Sequence, residues 1–392
     1  VLYQVLDNKK ECYAVFYEDA LYHYPRSENF THTWEYTPHF SDLKIEYAKI
    51  WAQGRSLSDV CPEHLRDEWK AVQSQASAYL TSFKEAKINL QDICFYDSVP
   101  KKFLIRYCKL KNDICEWVFE HYKKPKNYDF LLNLTKFSNK IKDQDLCLRT
   151  DNLDFIDSKV RKSFSKIKNS QNYINYNPFG TATGRLSTEK DSFPILNLNK
   201  ELRNVLIPKN DLFLEFDYNA AELRTLFGLL GKAQPDGDVH AWIKTNVFDD
   251  KLTREQTKKK VFAWLYNPNA KNKKLNEFLP RTAAMKKHFV DGVVHTPFKR
   301  EIRAADDKAL NYLIQSTTSD IFLTNLLKID TMLQDKKSFI SFCVHDSFVI
   351  DFDNSDRDLV DKIVEVFSNT TLGEFKVSVH GGKTYGDMRR VM

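Results

Sequence analysis

The sequence predicts an α+β chain, and three stretches carry that expectation. Residues 211–216 are mostly apolar and read as a short buried strand, after which apolar residues recur at helical spacing from Ala220 to Leu230. Residues 339–352 read as two apolar strands around a tight turn at His345-Asp346. Residues 63–83, 101–122 and 128–142 carry apolar positions three and four apart and read as helices. Pro62, Pro100 and Pro125 fall at their boundaries, where proline is tolerated or stops a helix.

The chain has 392 residues, room for two or three domains, and its 42% hydrophobic and 13% aromatic content supports a substantial core rather than wholesale disorder. Seven cysteines, an odd number without a C-x-x-C pair, argue against a disulfide framework or a zinc site. They read as reduced thiols, so a cytoplasmic or other reducing compartment is expected. There is no run of 18 apolar residues and no basic-then-apolar N-terminus, so neither a membrane span nor a signal peptide is expected. The chain opens on Val1 rather than Met, as a processed chain or a piece of a longer one does. The net charge of +6 is uneven, because residues 101–170 hold 17 Lys/Arg against 9 Asp/Glu. With Phe103, Tyr107, Trp117 and Tyr122 interleaved, this suits a polyanion-binding face, and also an ordinary solvated helix surface.

Taken in order, residues 2–6 and 13–17 alternate around Asp7-Asn8-Lys9-Lys10 and predict a small β-hairpin, followed by a polar stretch with Pro25 and Pro38. The lysine-rich helices after it suit a grip on a duplex backbone or a plain helical domain. Residues 172–187 are loop-like, and Arg185 there, like Arg203 further on, suits a phosphate clamp or a pairing with an acid. Asp217 lies where strand gives way to helix, a place for a hard cation ligand or for a helix cap. Arg254, Lys258, Phe262 and Tyr266 recur every fourth residue and share one slowly turning helical face. An unpaired Arg and Lys followed by two aromatics suits a triphosphate at one end and a base or sugar at the other. His240, just upstream, suits the same anion site or a structural role. Residues 309–327 read as an interior helix holding polar Gln315 and Asp320. The hairpin puts a second carboxylate, Asp346, at its tip; 356–367 then reads as a helix and 375–379 as a last strand.

Two carboxylates on neighbouring strand ends and a basic-aromatic helix make one constellation. Two divalent ions about 4 Å apart, held by such acids, serve an in-line phosphoryl displacement. Arg254 and Lys258 would offset the charge that develops on a leaving pyrophosphate.

The order of these pieces is distinctive. Thr181-Ala182-Thr183-Gly184-Arg185-Leu186-Ser187, then Asp217-Tyr218-x-x-x-Glu222-Leu223-Arg224, then Arg254-x3-Lys258-x3-Phe262-x3-Tyr266, then Val344-His345-Asp346 closely resembles family A (polymerase I-like) DNA polymerases. The likeness runs from about residue 171 to the C-terminus, including Gln315-Ser316-Thr317-Thr318-Ser319-Asp320 and Gly382-Lys383-Thr384-Tyr385-Gly386-Asp387. The resemblance implies a right-hand polymerase fold, with an antiparallel palm sheet, helical fingers and thumb, and a small N-terminal extension. It implies Asp217 and Asp346 as carboxylate ligands of two Mg2+ ions (Mn2+ substituting), assisted by the Tyr218 carbonyl. Arg254, Lys258 and His240 match triphosphate positions, Phe262 a residue beside the incoming sugar, and Tyr266 one near the template base. Glu222 matches the residue that blocks a ribose 2′-hydroxyl. Arg185, Gln315, His345 and Arg203 match contacts to primer–template.

The implied function is template-directed DNA polymerisation, with primer–template DNA and dNTPs as partners, and helicase, primase or processivity partners left unassigned. The implied domains are a small N-terminal region (1–60), thumb (61–160), palm (161–228 and 310–392) and fingers (229–309). Residues 1–60 offer no apolar strand with an Asp-x-Glu pair, so an active proofreading nuclease is not expected. Three positions depart from the family pattern. Ser347 stands where the family has Glu, and Ala263 and Asn267 stand where it often has Gly. His-Asp-Ser is also how single-subunit phage-type RNA polymerases spell the hairpin, which makes them the alternative, opposed by Glu222 and Phe262. A catalytically inactive nucleic-acid-binding relative is the other. The Lys- and Asn-rich usage suggests an AT-rich genome of phage or organelle type.

Overall fold

The computed structural model describes residues 1–6, 13–23, 28–88, 94–149, 167, 171–190, 192–267 and 269–392. The chain divides into two compact units, Val1–Lys136 and Phe137–Met392.

In the first unit, strands Gln4–Val5, Ala14–Tyr17 and Ala20–His23 form an antiparallel sheet in that order. The expected pairing of the first two is present, while the 7–10 turn lies outside the described residues. The third strand is reached through Glu18-Asp19, both at positive φ, the geometry of a tight hairpin turn. Helices Arg66–Glu85, Lys101–His121 and Tyr128–Lys142 stand where the apolar spacing put them. Ala14, Trp34 and Val60 share one core with Trp69, Leu104 and Ile114, so residues on both sides of position 60 are buried together. Much of the basic run is already engaged. Lys111 and Phe103 are buried, Arg106 pairs with Glu68, Lys109 with Asp19 and Lys124 with Glu46. Residues 150–166 and 168–170 of that run lie outside the described residues. Five cysteines are free thiols, but Cys94 is disulfide-bonded, which corrects the expectation of thiols throughout.

The second unit is built on a five-stranded antiparallel sheet. Its order is Phe339–Val344, Ser347–Phe352, Leu212–Tyr218, Val377–Gly382, Arg389–Arg390. The strand that carries Asp217 is thus central, flanked on both sides, which satisfies its backbone groups. Residues directly opposite each other share a face. Phe216 lies opposite Phe348 and Val379, and the Phe216 and Phe348 rings stack at 5.1 Å. Phe322 of the 27-residue helix Asp306–Met332 and Phe367 of helix Val360–Ser368 close this apolar face. The opposite face carries Glu215 and Asp217 against Ser347, Val349, Ser378 and His380. Strand Val377–Gly382 begins two residues later than the expected 375–379 and runs through Gly381-Gly382, because those glycines pair with Leu214 and Phe213 instead of turning. It is not the last: Arg389–Arg390 pairs beyond it.

Residues 229–309 are not helical throughout, as the resemblance implied. Helices Val239–Asn246, Arg254–Tyr266, Lys273–Phe278 and Arg281–His288 are followed by an antiparallel sheet of Phe289–Val290, Val293–His295 and Glu301–Arg303. Asp291 and Gly292, at φ of 50° and 73°, form the two-residue turn that starts it. The stretch after residue 171 likewise contains a short antiparallel pair, Tyr176–Asn177 with Ser187–Thr188, which makes 178–186 a closed loop.

Candidate active site

Asp217 lies in the central strand, directly opposite Ser347, the residue after Asp346 in the hairpin. Its capping role is excluded by the geometry: the N-cap of helix Ala221–Leu229 is Ala220, without a side-chain hydrogen bond. Burial raises the Asp217 carboxyl, and the Asp346 and Glu215 charges raise it further, to about 7. Burial likewise raises Asp346, against its own backbone N–H, Arg185 and His345. Two like charges held together out of water are costly, and a hard cation between them removes the cost. The Tyr218 side chain points the other way. Its ring stacks on Phe367 at 3.9 Å and its hydroxyl donates to the Phe367 carbonyl at 2.6 Å, so only its backbone is left for the site.

Both turns that present these acids are strained. Ala220 sits at φ 52°, ψ 49° and His345 at φ 57°, left-handed geometry that costs a residue with a Cβ about 1 kcal/mol or more. Such strain gathers where a fold must aim a side chain.

Between them lies a cavity of about 470 Å³. Arg185, Glu222, Gln315, His345 and Asp346 line one part of it, and His240, Phe262 and Tyr266 another. The last three come from two helices whose sequences dictate the arrangement. In Arg254–Tyr266, Thr253 and Gln256 form a capping box, and Thr257, Val261, Trp264 and Leu265 are buried at helical spacing. That leaves Arg254, Lys258, Phe262 and Tyr266 on the other face. Phe262 and Tyr266 are coplanar within 4° at 5.8 Å, with His240 at 5.6 Å from Phe262. The His240 Nδ1 is buried without a partner; burial lowers its basicity, and the nearby Arg254 and Lys258 charges add to that against Asp238.

Arg254 is not unpaired, as the sequence reading had it. It donates to Asp238 at 2.6 Å and to Glu255 at 2.7 Å. Burial alone would raise Asp238, but the Arg254 and Ala241 hydrogen bonds take it down to about 2. Lys258 has no carboxylate partner among the described residues and lies 6.0 Å from the Phe262 ring centre. Arg185 takes the other of its two open roles, an ion pair, here with Glu222. Burial and Asp346 raise the Glu222 carboxyl against that pairing.

The Arg185 loop is held from beneath. Gly184 has φ 75°, and a Cβ there would meet the Arg300 guanidinium at 2.4 Å. Arg300 makes a two-point bond to Asp320, which is fully buried, and Ser319 donates to the Gly184 carbonyl at 3.0 Å. Arg203 lies outside the cavity, 4.7 Å over the Tyr385 ring with a buried, unpartnered Nε. Burial and then Glu215 raise the Tyr385 phenol, with Asp217 contributing, so Arg203 and Tyr385 flank the acidic face.

Sequence reasoning missed Glu215, Asp238, Arg300 and Tyr385 as neighbours of the site. For Glu215 a signal existed, since an acid two residues before Asp217 in an apolar strand must share its face.

No family model and no curated protein matches the chain. Among solved structures it is similar to the POL domain of Pol1 from M. smegmatis, in complex with DNA primer-template and dNTP. The identity is 16% and the TM-score 0.45, over 81% of this chain and 66% of that one, just under two thirds of its length. A likeness of that degree assigns no residue role.

Proposed function

We propose that the protein is a template-directed DNA polymerase that adds deoxynucleotides to a primer 3′ end. The carrying observation is the cavity, where eight side chains from six separate stretches of sequence converge beside Asp346. The donor set fits Mg2+. Mg2+ is held by one or two carboxylates, with waters and substrate phosphates completing its shell, and Asp217 and Asp346 are two such acids that repel each other without a cation. Among the described residues no group of three or more His, Cys, Asp or Glu could hold a metal ion, so the Mg2+ assignment rests on the aspartate pair. When bound, the metal supplies Lewis-acid activation of the primer hydroxyl and of the triphosphate.

The chain's own groups orient the substrate. Lys258 and Arg254 on one helix offer positive charge to a triphosphate, and the open Nδ1 of His240 on the preceding helix a hydrogen bond. Phe262 and Tyr266 give a flat wall for sugar and base. Glu222, fixed by Arg185, fills the space beside the sugar edge and disfavours a ribose 2′-hydroxyl. Arg185, Gln315 and His345, which line the cavity, are assigned to the primer–template end, and Arg203, over Tyr385, to a phosphate. In this reading the five-stranded sheet is the palm, residues 229–309 are the fingers and residues 61 to about 160 the thumb.

Primer extension on a primed DNA template with Mg2+ tests it. dNTPs are expected to extend the primer and NTPs not. Asp346→Ala is expected to abolish extension while the duplex Kd stays within about threefold, since one uncharged substitution removes no phosphate contact. Extension by Asp346→Ala at the wild-type rate would overturn the metal assignment; preference for NTPs would move the reading to an RNA polymerase.

A further inference from the structure

We infer that Glu215 restores, from the central strand, the acidic support that the hairpin lacks at Ser347, acting on Asp217 and Asp346 as a positioning residue through the Ser347 hydroxyl. The inference rests on the polymerase reading. Ser347 directly follows Asp346 in the chain and lies opposite Asp217 in the strand pairing, so its backbone is tied to both carboxylate-bearing residues. Its Oγ bonds to Glu215 Oε1 at 3.2 Å and lies 3.1 Å from the Val344 carbonyl. Glu215 is two residues before Asp217 on the same strand, hence on the same face, opposite Val349 and His380. The neighbours Phe213, Leu214 and Phe216 are buried and apolar, so a half-buried carboxylate at 215 is out of keeping with the strand unless it serves the site.

A third negative charge beside Asp217 makes the metal-free site less stable and a cation more welcome. The Glu215 carboxylate bonds to the Ser347 hydroxyl, so it stands one step behind the aspartates. Groups at that distance orient ligands and tune the cation, and losing one weakens metal affinity about ten- to hundredfold.

The test uses the whole chain with primer–template ending in a dideoxynucleotide and the next dNTP, so that no reaction occurs. Free Mn2+ is followed by electron paramagnetic resonance during titration. Glu215→Ala and Ser347→Ala are each expected to weaken Mn2+ binding about tenfold or more. With an extendable primer they should lower kcat and leave KM for dNTP unchanged. Moving the acid to the hairpin, in Glu215→Ala/Ser347→Glu, is expected to recover most of both losses, which a merely structural contact would not. Should an alanine variant fail to fold, Glu215→Gln keeps the shape and the acceptor, loses the charge and gives the same answer. Wild-type Mn2+ affinity in Glu215→Gln and Glu215→Ala, or a folded double variant that recovers nothing, would overturn the inference. Failure of the polymerase reading looks different: the wild type would then extend no primer with dNTPs, whatever the Glu215 and Ser347 variants do to Mn2+ binding.

Discussion

In the metal-free protein, Asp217→Asn is expected to stabilise the fold at neutral and higher pH. Asn keeps the shape of the neutral acid and removes a charge that burial, Asp346 and Glu215 all disfavour. The folded carboxyl titrates at about 7 against 3.8 in the reference state, so the folded state binds the extra proton between those values. Stability at this group is therefore greatest at low pH and falls as pH rises through that window. At about 1.4 kcal/mol per unit the full penalty approaches about 4 kcal/mol at pH 8 and is about half of that or less at pH 5. Thermal unfolding in EDTA at the two pH values measures it. At about 2–4 °C per kcal/mol for a unit of this size, Asp217→Asn should melt about 8 °C or more above wild type at pH 8, with a smaller gap at pH 5. Saturating Mg2+ or Mn2+ should raise the wild type and not the variant. A variant that melts at or below wild type in EDTA at pH 8, or a gap that does not narrow at pH 5, would refute the account of the carboxylate pair.

Gly184→Ala must place a Cβ at left-handed φ and against a guanidinium locked to buried Asp320, so a loss of about 2–4 kcal/mol is expected. Unchanged melting would show that Arg300 yields freely. Glu222→Ala frees Arg185 and empties the sugar edge, and competition between ribo- and deoxynucleotides should show discrimination falling about tenfold or more. Unaltered selectivity counts against the gate. Asp238→Asn keeps a side-chain oxygen to cap helix Val239–Asn246 and releases Arg254. The pair is partly exposed and worth about 0.5–1 kcal/mol, so steady-state kinetics should show KM for dNTP two- to fivefold lower; an increase would mean that Asp238 positions Arg254 rather than restrains it.

What the sequence determined is local. The helices at Lys101–His121, Tyr128–Lys142 and Arg254–Tyr266 were legible to within a residue or so, because a 3.6-residue apolar period, a proline or a capping box acts over a few positions. The His345-Asp346 turn was legible for the same reason. The short strands Ala20–His23 and 289–303 were passed over because their signal lies in the turns, Glu18-Asp19 and Asp291-Gly292, rather than in a run of apolar residues.

Tertiary structure decided which charges meet. Arg185 finds Glu222 across 37 positions, Ser347 finds Glu215 across 132, and Arg254 takes Asp238 from the end of a different helix. A sequence states that an arginine can clamp a phosphate or pair with an acid, but not which, since the choice depends on what is buried beside it. The raised carboxyl of Asp217 follows from the same cause. Periodicity sets which face a residue occupies, whereas desolvation and charge coupling exist only once the strands have paired.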